Sequence, residues 1–141
     1  MSSINQNTLE RVSSTRASGA VVVIEDEAIV LAGYQMLFES WGYHVVAAQS
    51  EDEAIELLTR QHVAPSFILA DFRLRNGKTG TEAIDRLRQT FGWLIPGVVV
   101  TGDTAVSVDG LKTAAAAGMP ILHKPVNGRQ LQDILTKSLG R

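Results

Sequence analysis

The sequence predicts an α/β fold in which a five-stranded parallel sheet carries helices on both faces. Five short apolar runs recur along the chain, and the first, third and fourth contain four or more consecutive apolar residues, which is typical of strands buried on both faces. A segment with helical spacing of apolar residues follows each run. Because parallel strands need right-handed crossovers, this succession predicts a doubly wound sheet. The first and third strands should flank the point where the strand order reverses, which gives the order 2-1-3-4-5.

Length and composition fit one globular domain with a core. The chain has 141 residues, of which 45% are hydrophobic and 20% are charged. A net charge of −2 without a Lys/Arg cluster argues against nucleic-acid binding. The absence of cysteine excludes disulfides and cysteine-ligated metals. No apolar run reaches the length of a membrane span and no signal-peptide core is present, so we expect a cytoplasmic protein.

The first repeat follows a polar segment. Met1–Gly19 is predicted to be a flexible tail or linker, which leaves residues 20–141 as the domain. Ala20–Ile24 is the first strand. A helix is predicted over Glu27–Trp41 and ended by Gly42. The apolar residues of this helix are interpreted as core: Ile29, Tyr34, Met36, Leu37, Phe38 and Trp41.

The second repeat begins with a strand predicted at Tyr43–Ala48. Ser50 and Glu53 form a capping box for the helix that follows. The apolar face of that helix comprises Ala54, Ile55, Leu57 and Leu58. Pro65 is expected to end the connection to the third strand.

The third strand is predicted at Ser66–Ala70, with Asp71 at its end. A loop follows, and either Thr79 or Thr81 can cap the next helix, Glu82–Phe91. This third repeat therefore places a carboxylate where a buried strand leaves the core.

The last two repeats complete the pattern. Gly97–Thr101 is the fourth strand, and an alanine-rich helix is predicted over Ala105–Ala117. Met119–His123 is the fifth strand. Asn127 is expected to cap the last helix, Arg129–Leu139.

Polar side chains follow four of the predicted strands. Glu25 and Asp26 follow the first, Asp71 the third, Thr101 ends the fourth, and Lys124 follows the fifth. Because the carboxyl ends of parallel strands share one edge of the sheet, these side chains should lie close together. Three neighbouring carboxylates repel one another unless a cation lies among them. Oxygen ligands without His or Cys select Mg²⁺ or a similar ion.

Such an edge can support phosphoryl transfer. A carboxylate can attack phosphorus and form an aspartyl phosphate. Lys124 would supply a positive charge to the phosphoryl group, Thr101 a hydroxyl, and the small Gly102 leaves the backbone approachable.

Four segments carry a resemblance to a known family. They are Val21–Glu27, Ile68–Asp71, Val99–Gly102 and Leu122–Pro125. Together they resemble the receiver domain of two-component response regulators, over about residues 20–140. The resemblance implies a flavodoxin-like (βα)5 three-layer sandwich. It also implies that Asp71 accepts a phosphoryl group from the phosphohistidine of a histidine kinase, which changes partner binding.

The resemblance also implies roles for individual residues. Asp26 and Asp71 would bind Mg²⁺ directly, Glu25 mainly through water, and Arg73 through its backbone carbonyl. Thr101 and Lys124 would each contact a phosphoryl oxygen, and the Lys124-Pro125 bond would be cis. One departure is that Ile121 occupies a position where members commonly carry an aromatic switch residue. How phosphorylation would be relayed is therefore left open.

The implied partners are a histidine kinase or histidine phosphotransfer domain, and a downstream protein. The downstream protein would bind the face built from the fourth helix, fifth strand and fifth helix, where Ala114–Ala117 is small enough for close docking. A homodimer is left open. Residues 73–80 resemble receivers at the C-terminus of hybrid histidine kinases, in which case the kinase activity would lie outside this chain.

Three alternatives compete with this interpretation. An aspartyl-phosphate hydrolase usually carries a second acid two residues after the nucleophile, where this chain has Arg73. A flavin or nucleotide binder needs a phosphate-holding loop after the first strand, but Glu25-Asp26-Glu27 repels phosphate. A receiver that only docks partners would not need the complete set of site residues. A further hypothesis is that Arg73 and Asp103 pair over Asp71 and restrict the attacking water.

Overall fold

The computed structural model describes residues 19–102 and 119–140. Its strands are β1 (Ala20–Ile24), β2 (Val45–Ala48), β3 (Pro65–Asp71), β4 (Gly97–Thr101) and β5 (Ile121–His123). The helices in these ranges are α1 (Ala28–Ser40), α2 (Glu51–Gln61), α3 (Gly80–Phe91) and α4 (Gly128–Leu139). A short 3₁₀ turn, Arg75–Gly77, lies between β3 and α3.

All five strands are parallel and lie in the order β2-β1-β3-β4-β5, so the predicted fold class is confirmed. The register aligns the strand ends that matter for the site. Ile24 of β1 pairs with Ala70 of β3, and Asp71 pairs with Val100 of β4. The pairing of β4 with β5 extends to Thr101. The carboxyl ends of these four strands therefore meet at one edge.

The sheet is buried on both faces, which explains the unbroken apolar runs. On one face, side chains such as Val22 pack with α2 and α3 residues. On the other face, Val21 and Val23 pack with Phe38 of α1 and Leu131 of α4. All five residues of β1 are fully buried, so that strand runs through the centre of the three layers.

The predicted inward stripe of α1 is partly wrong. Phe38 is fully buried, and Tyr34, Leu37 and Trp41 are partly buried against the same face of the sheet. Ile29 and Met36, however, are 89% and 71% exposed. At 100° per residue, position 36 lies about 200° around the helix from position 34. The sequence interpretation therefore combined two opposite faces of this helix.

Hydrogen bonds at the helix starts refine the predicted caps. The Ser50 hydroxyl accepts from the Glu53 amide at 3.1 Å, as expected of a capping box. The Glu53 carboxylate, however, accepts from the Gln49 amide at 3.3 Å, one residue earlier than the standard motif. Thr79 accepts from the Glu82 amide at 3.2 Å, which selects Thr79 over Thr81 as the cap of α3. This cap lets α3 begin at Gly80, two residues before the predicted start.

Several boundaries also differ from expectation. Pro65 was expected to lie in the connection, but it is the first residue of β3, where a missing amide proton is tolerated. β2 and β5 each begin two residues later than predicted, at Val45 and Ile121. Asn127 caps α4 as predicted, accepting from the Arg129 amide at 2.9 Å.

Some predictions fall outside the described residues. They concern residues 1–18 of the predicted tail, Asp103, and the predicted helix Ala105–Ala117, together with most of the proposed partner face. In the described part of the chain, no helix has the length and apolar character needed to cross a bilayer.

Candidate functional site

Three carboxylates converge where β1 and β3 end. Glu25 and Asp26 follow β1, Asp71 ends β3, and one oxygen of each lies within 4.8 Å of the others. The convergence follows directly from topology, because β1 and β3 are hydrogen-bonded neighbours whose ends are aligned. The sequence prediction that these residues come together is therefore confirmed.

Glu25 is the buried member of the cluster, with 1% of its surface exposed. Its Oε1 accepts from the Glu27 amide at 3.2 Å, whereas its buried Oε2 has no hydrogen-bond partner among the described residues. Burial, and then the charge of Asp71, raise the pKa of Glu25 from its ordinary 4.5 to about 7. A buried, unpaired carboxylate oxygen is costly. This oxygen and its all-oxygen surroundings fit a hard divalent cation.

Asp71 forms an ion pair with a lysine that follows β5. Lys124 Nζ lies 3.2 Å from Asp71 Oδ1. Burial raises the pKa of Asp71, and the charge of Lys124 opposes that rise. The negative charge of the cluster also affects Tyr34 of α1. Burial, together with the charges of Glu25 and Asp71, raises the pKa of Tyr34 to about 12.

An open cleft of about 440 Å³ gives access to this edge of the sheet. Its lining consists of Asp26, Glu27, Asp71, Arg73, Thr101, Gly102 and Lys124. Thr101 is only 2% exposed, and its carbonyl accepts from the Lys124 amide at 2.8 Å. The pairing of β4 with β5 therefore fixes Thr101 and Lys124 relative to each other. Glu25 does not line the cleft, so its carboxylate lies below the surface from which a substrate would approach.

Gly80 determines how closely the chain can pack behind Asp71. A Cβ at this position would lie 2.4 Å from the backbone oxygen of Asp71, which no real side chain can do. The Gly80 amide donates to the Phe72 carbonyl at 3.0 Å, and the Phe72 amide donates to the Val100 carbonyl at 2.7 Å. The start of α3 is thereby held directly against the end of β3. Sequence reasoning did not predict this contact.

Two further residues that the sequence did not single out contact Asp26. Arg75 Nε lies 3.6 Å from Asp26 Oδ2, and Arg75 Nη2 donates to the Asp26 carbonyl at 3.4 Å. Gln49 Nε2 donates to the same carbonyl at 2.9 Å. Both contacts join loops that are remote in sequence, so no local pattern could have predicted them.

The loop after Asp71 is also tied to α2. Glu51, at the start of α2, contacts Lys78 Nζ at 2.8 Å and Arg86 of α3 at 3.2 Å. Arg86 also pairs with Asp52. These ion pairs hold Lys78 independently of the carboxylate cluster.

The remaining predicted features can be placed in part. The Lys124-Pro125 bond is cis, as the resemblance implied. Ile121 pairs with Val99 of β4 and is partly buried against the core. Arg73 is exposed and lines the cleft, but Asp103 lies outside the described residues, so their pairing stays a hypothesis.

Comparison with known proteins gives a consistent result. A family model described as the response regulator receiver domain matches residues 21–136. The phyllosphere-induced regulator PhyR of Methylorubrum extorquens is 25% identical over 120 residues, which cover 84% of this chain and 43% of PhyR. The alginate biosynthesis transcriptional regulatory protein AlgB of Pseudomonas syringae is 30% identical over 130 residues, which cover 90% of this chain and 27% of AlgB. The chain thus spans less than half of either relative.

Solved structures support the fold. A receiver domain protein from Methanospirillum hungatei superposes with a TM-score of 0.73 at 22% identity, over 86% of this chain and 94% of that chain. A response regulator receiver protein from Sinorhizobium medicae gives a TM-score of 0.69 at 25% identity, over 87% of this chain and 95% of that chain. The sheet order and layers described above are therefore shared with known receiver structures.

Proposed function

This chain belongs to the response regulator receiver domain family, and from that membership we propose that Asp71 is its phosphoacceptor. Members of the family are generally phosphoacceptor modules of two-component signalling and not classical enzymes. The observation that carries the assignment is the position of Asp71. It lies at the open edge of the sheet, within 4.8 Å of two other carboxylates and 3.2 Å from Lys124. We place the receiver domain at residues 20–141.

The proposed cofactor is Mg²⁺, bound by Asp26 and Asp71 directly, by the backbone carbonyl of Arg73, and by Glu25 through water. The unpaired buried oxygen of Glu25 and the absence of nitrogen or sulfur ligands in the described cluster support this assignment. When bound, the ion would neutralise charge on the carboxylates and on the transferring phosphoryl group.

The proposed chemistry assigns one task to each side chain. A carboxylate oxygen of Asp71 forms a bond to phosphorus while the bond from phosphorus to the donor's histidine nitrogen breaks, and the histidine leaves with the bonding electrons. Lys124 contacts one phosphoryl oxygen as a point charge, and the Thr101 hydroxyl donates to another. The pairing of β4 with β5 and the bond from the Lys124 amide to the Thr101 carbonyl fix the backbone positions from which these two side chains would act.

The partners and cellular context follow as proposals. The phosphodonor would be a histidine kinase or histidine phosphotransfer domain, and phosphorylation would change the binding of a downstream protein. Any kinase activity would lie outside this chain. The cytoplasmic location and the link to hybrid kinases stay predictions from the sequence.

Labelling with a small phosphodonor tests the assignment of Asp71. We expect acetyl phosphate with Mg²⁺ to add one phosphoryl group to the wild-type chain, measured by intact-protein mass spectrometry. Chelation of the metal and Asp71→Asn should each abolish the adduct. The matched control is Asp85→Asn, an exposed aspartate on α3 that should leave labelling unchanged. An adduct that persists in Asp71→Asn would overturn the assignment, and turnover of a generic phosphate ester well above background would favour a hydrolase.

A further inference from the structure

Arg75 reaches across the cleft edge to the carboxylate that is proposed to bind the metal. Its Nε lies 3.6 Å from Asp26 Oδ2, and its Nη2 donates to the Asp26 carbonyl at 3.4 Å. An oxygen of the same carboxylate lies within 4.8 Å of oxygens from Glu25 and Asp71. The Asp26 carboxylate therefore lies next to two positive groups, the Arg75 guanidinium and the proposed metal ion.

We propose that Arg75 competes with the divalent cation for Asp26 and so limits the affinity of the site. This inference rests on the magnesium site proposed above. A guanidinium is permanently charged, so it reduces the negative charge that an arriving cation meets at every physiological pH. It also repels that cation directly, since both are positive.

The contact can be released without disturbing its surroundings. Among the described residues, the polar contacts of the Arg75 side chain are both to Asp26. The neighbouring Lys78 is held separately by Glu51. Gln49 Nε2 donates to the Asp26 carbonyl at 2.9 Å, so Asp26 keeps an anchor when Arg75 moves away. Loss of Arg75 should therefore change the charge at the site and leave the ligand in place.

Solvent limits the size of the effect. The Arg75 side chain is 72% exposed and that of Asp26 is 21% exposed, so water and salt screen their interaction. We therefore expect a change of about two- to fivefold in the dissociation constant for the cation, which corresponds to a weak surface ion pair. Without Arg75, affinity should also fall more steeply as ionic strength rises, because the net negative charge of the site is larger.

Calorimetric titration of the full chain with MgCl₂ tests the proposal. Arg75→Gln should bind Mg²⁺ about two- to fivefold more tightly than wild type, and Arg75→Lys, which keeps the charge, should stay closer to wild type. The matched control is Arg60→Gln, because Arg60 pairs with Glu56 towards the other end of α2. That variant should bind as wild type does.

The outcomes separate this inference from the proposed function. Equal or weaker Mg²⁺ binding by Arg75→Gln overturns the role of Arg75 and leaves the metal site standing. Failure of the wild-type chain to bind Mg²⁺ overturns both.

Discussion

Lys124 Nζ lies 3.2 Å from Asp71 Oδ1, although β4 separates β3, which ends at Asp71, from β5, which precedes Lys124. The lysine therefore spans a full strand width to place its charge beside the proposed nucleophile. In the described structure Lys124 is the ion-pair partner of the Asp71 carboxylate. Burial raises the pKa of this carboxyl group, and the charge of Lys124 lowers it. The balance between these two effects can be tested directly.

Replacing Lys124 should change the titration of Asp71. In Lys124→Met we expect the pKa of Asp71 to rise further in the metal-free protein, because burial and the charge of Asp26 then act without the opposing cation. Carboxyl ¹³C NMR measures this titration. Lys137→Met, an exposed lysine on α4, is the control. If the pKa of Asp71 in Lys124→Met stays at its wild-type value, the 3.2 Å contact between Lys124 and Asp71 does not affect the ionisation of Asp71.

The metal-free protein should become less stable as pH rises from about 4.5 to about 7. The pKa of Glu25 is raised in the folded state, first by burial and then by Asp71, from 4.5 to about 7. Between about pH 4.5 and about pH 7 the folded state therefore keeps the Glu25 proton, whereas the unfolded state has lost it. The stabilisation from this proton is fully present below pH 4.5 and is lost as the pH rises through about 7. The loss should reach at most about 3 kcal/mol.

Urea denaturation in the presence of chelator, repeated at several pH values, measures this dependence. Glu25→Gln should flatten it, because an amide does not titrate. Adding Mg²⁺ should stabilise the wild-type protein more at pH 8 than at pH 5, since the cation competes with protons for the same oxygens. A wild-type stability that is constant or rising across this range in chelator would contradict the raised pKa.

Gly80→Ala should destabilise the protein by about 3 kcal/mol, since the added methyl meets backbone atoms that cannot rotate away. Its Cβ would lie 2.4 Å from the Asp71 carbonyl oxygen and 3.0 Å from that of Ala70. Gly33→Ala on α1 is the matched control, because no atom lies within 4 Å of its Cβ position. There alanine should stabilise the helix by about 0.5–1 kcal/mol. Equal unfolding free energies for the two variants would argue against the close contact.

The arrangement of strand ends could be predicted from the sequence because topology determines it. Once the repeats are recognised, parallel pairing brings Glu25, Asp26 and Asp71 to one edge regardless of loop details. The contact of Arg75 with Asp26 could not be predicted, because it depends on how one loop folds over another. No periodic pattern in the sequence indicates such a contact.

Helix α1 shows a different limit. Its residues are apolar on nearly all sides, so the spacing of Ile29, Tyr34 and Met36 could not reveal which face meets the sheet. Packing against the sheet determines the buried face of α1, because Phe38 is buried there and Ile29 is exposed to solvent. In α2, where charged residues mark the outer face, the predicted inward residues Ala54 and Leu58 are fully buried.

The buried, unpaired oxygen of Glu25 has an evolutionary consequence. A residue that weakens the folded state is easily replaced by one that does not, because stabilising substitutions are easy to find in most proteins. Substitution of this carboxylate by a neutral side chain of similar size would relieve the repulsion with Asp71 and the cost of burial. Only selection for what the acidic edge does can hold such a glutamate in place. Lineages released from that selection should therefore lose Glu25 while keeping the sheet around it.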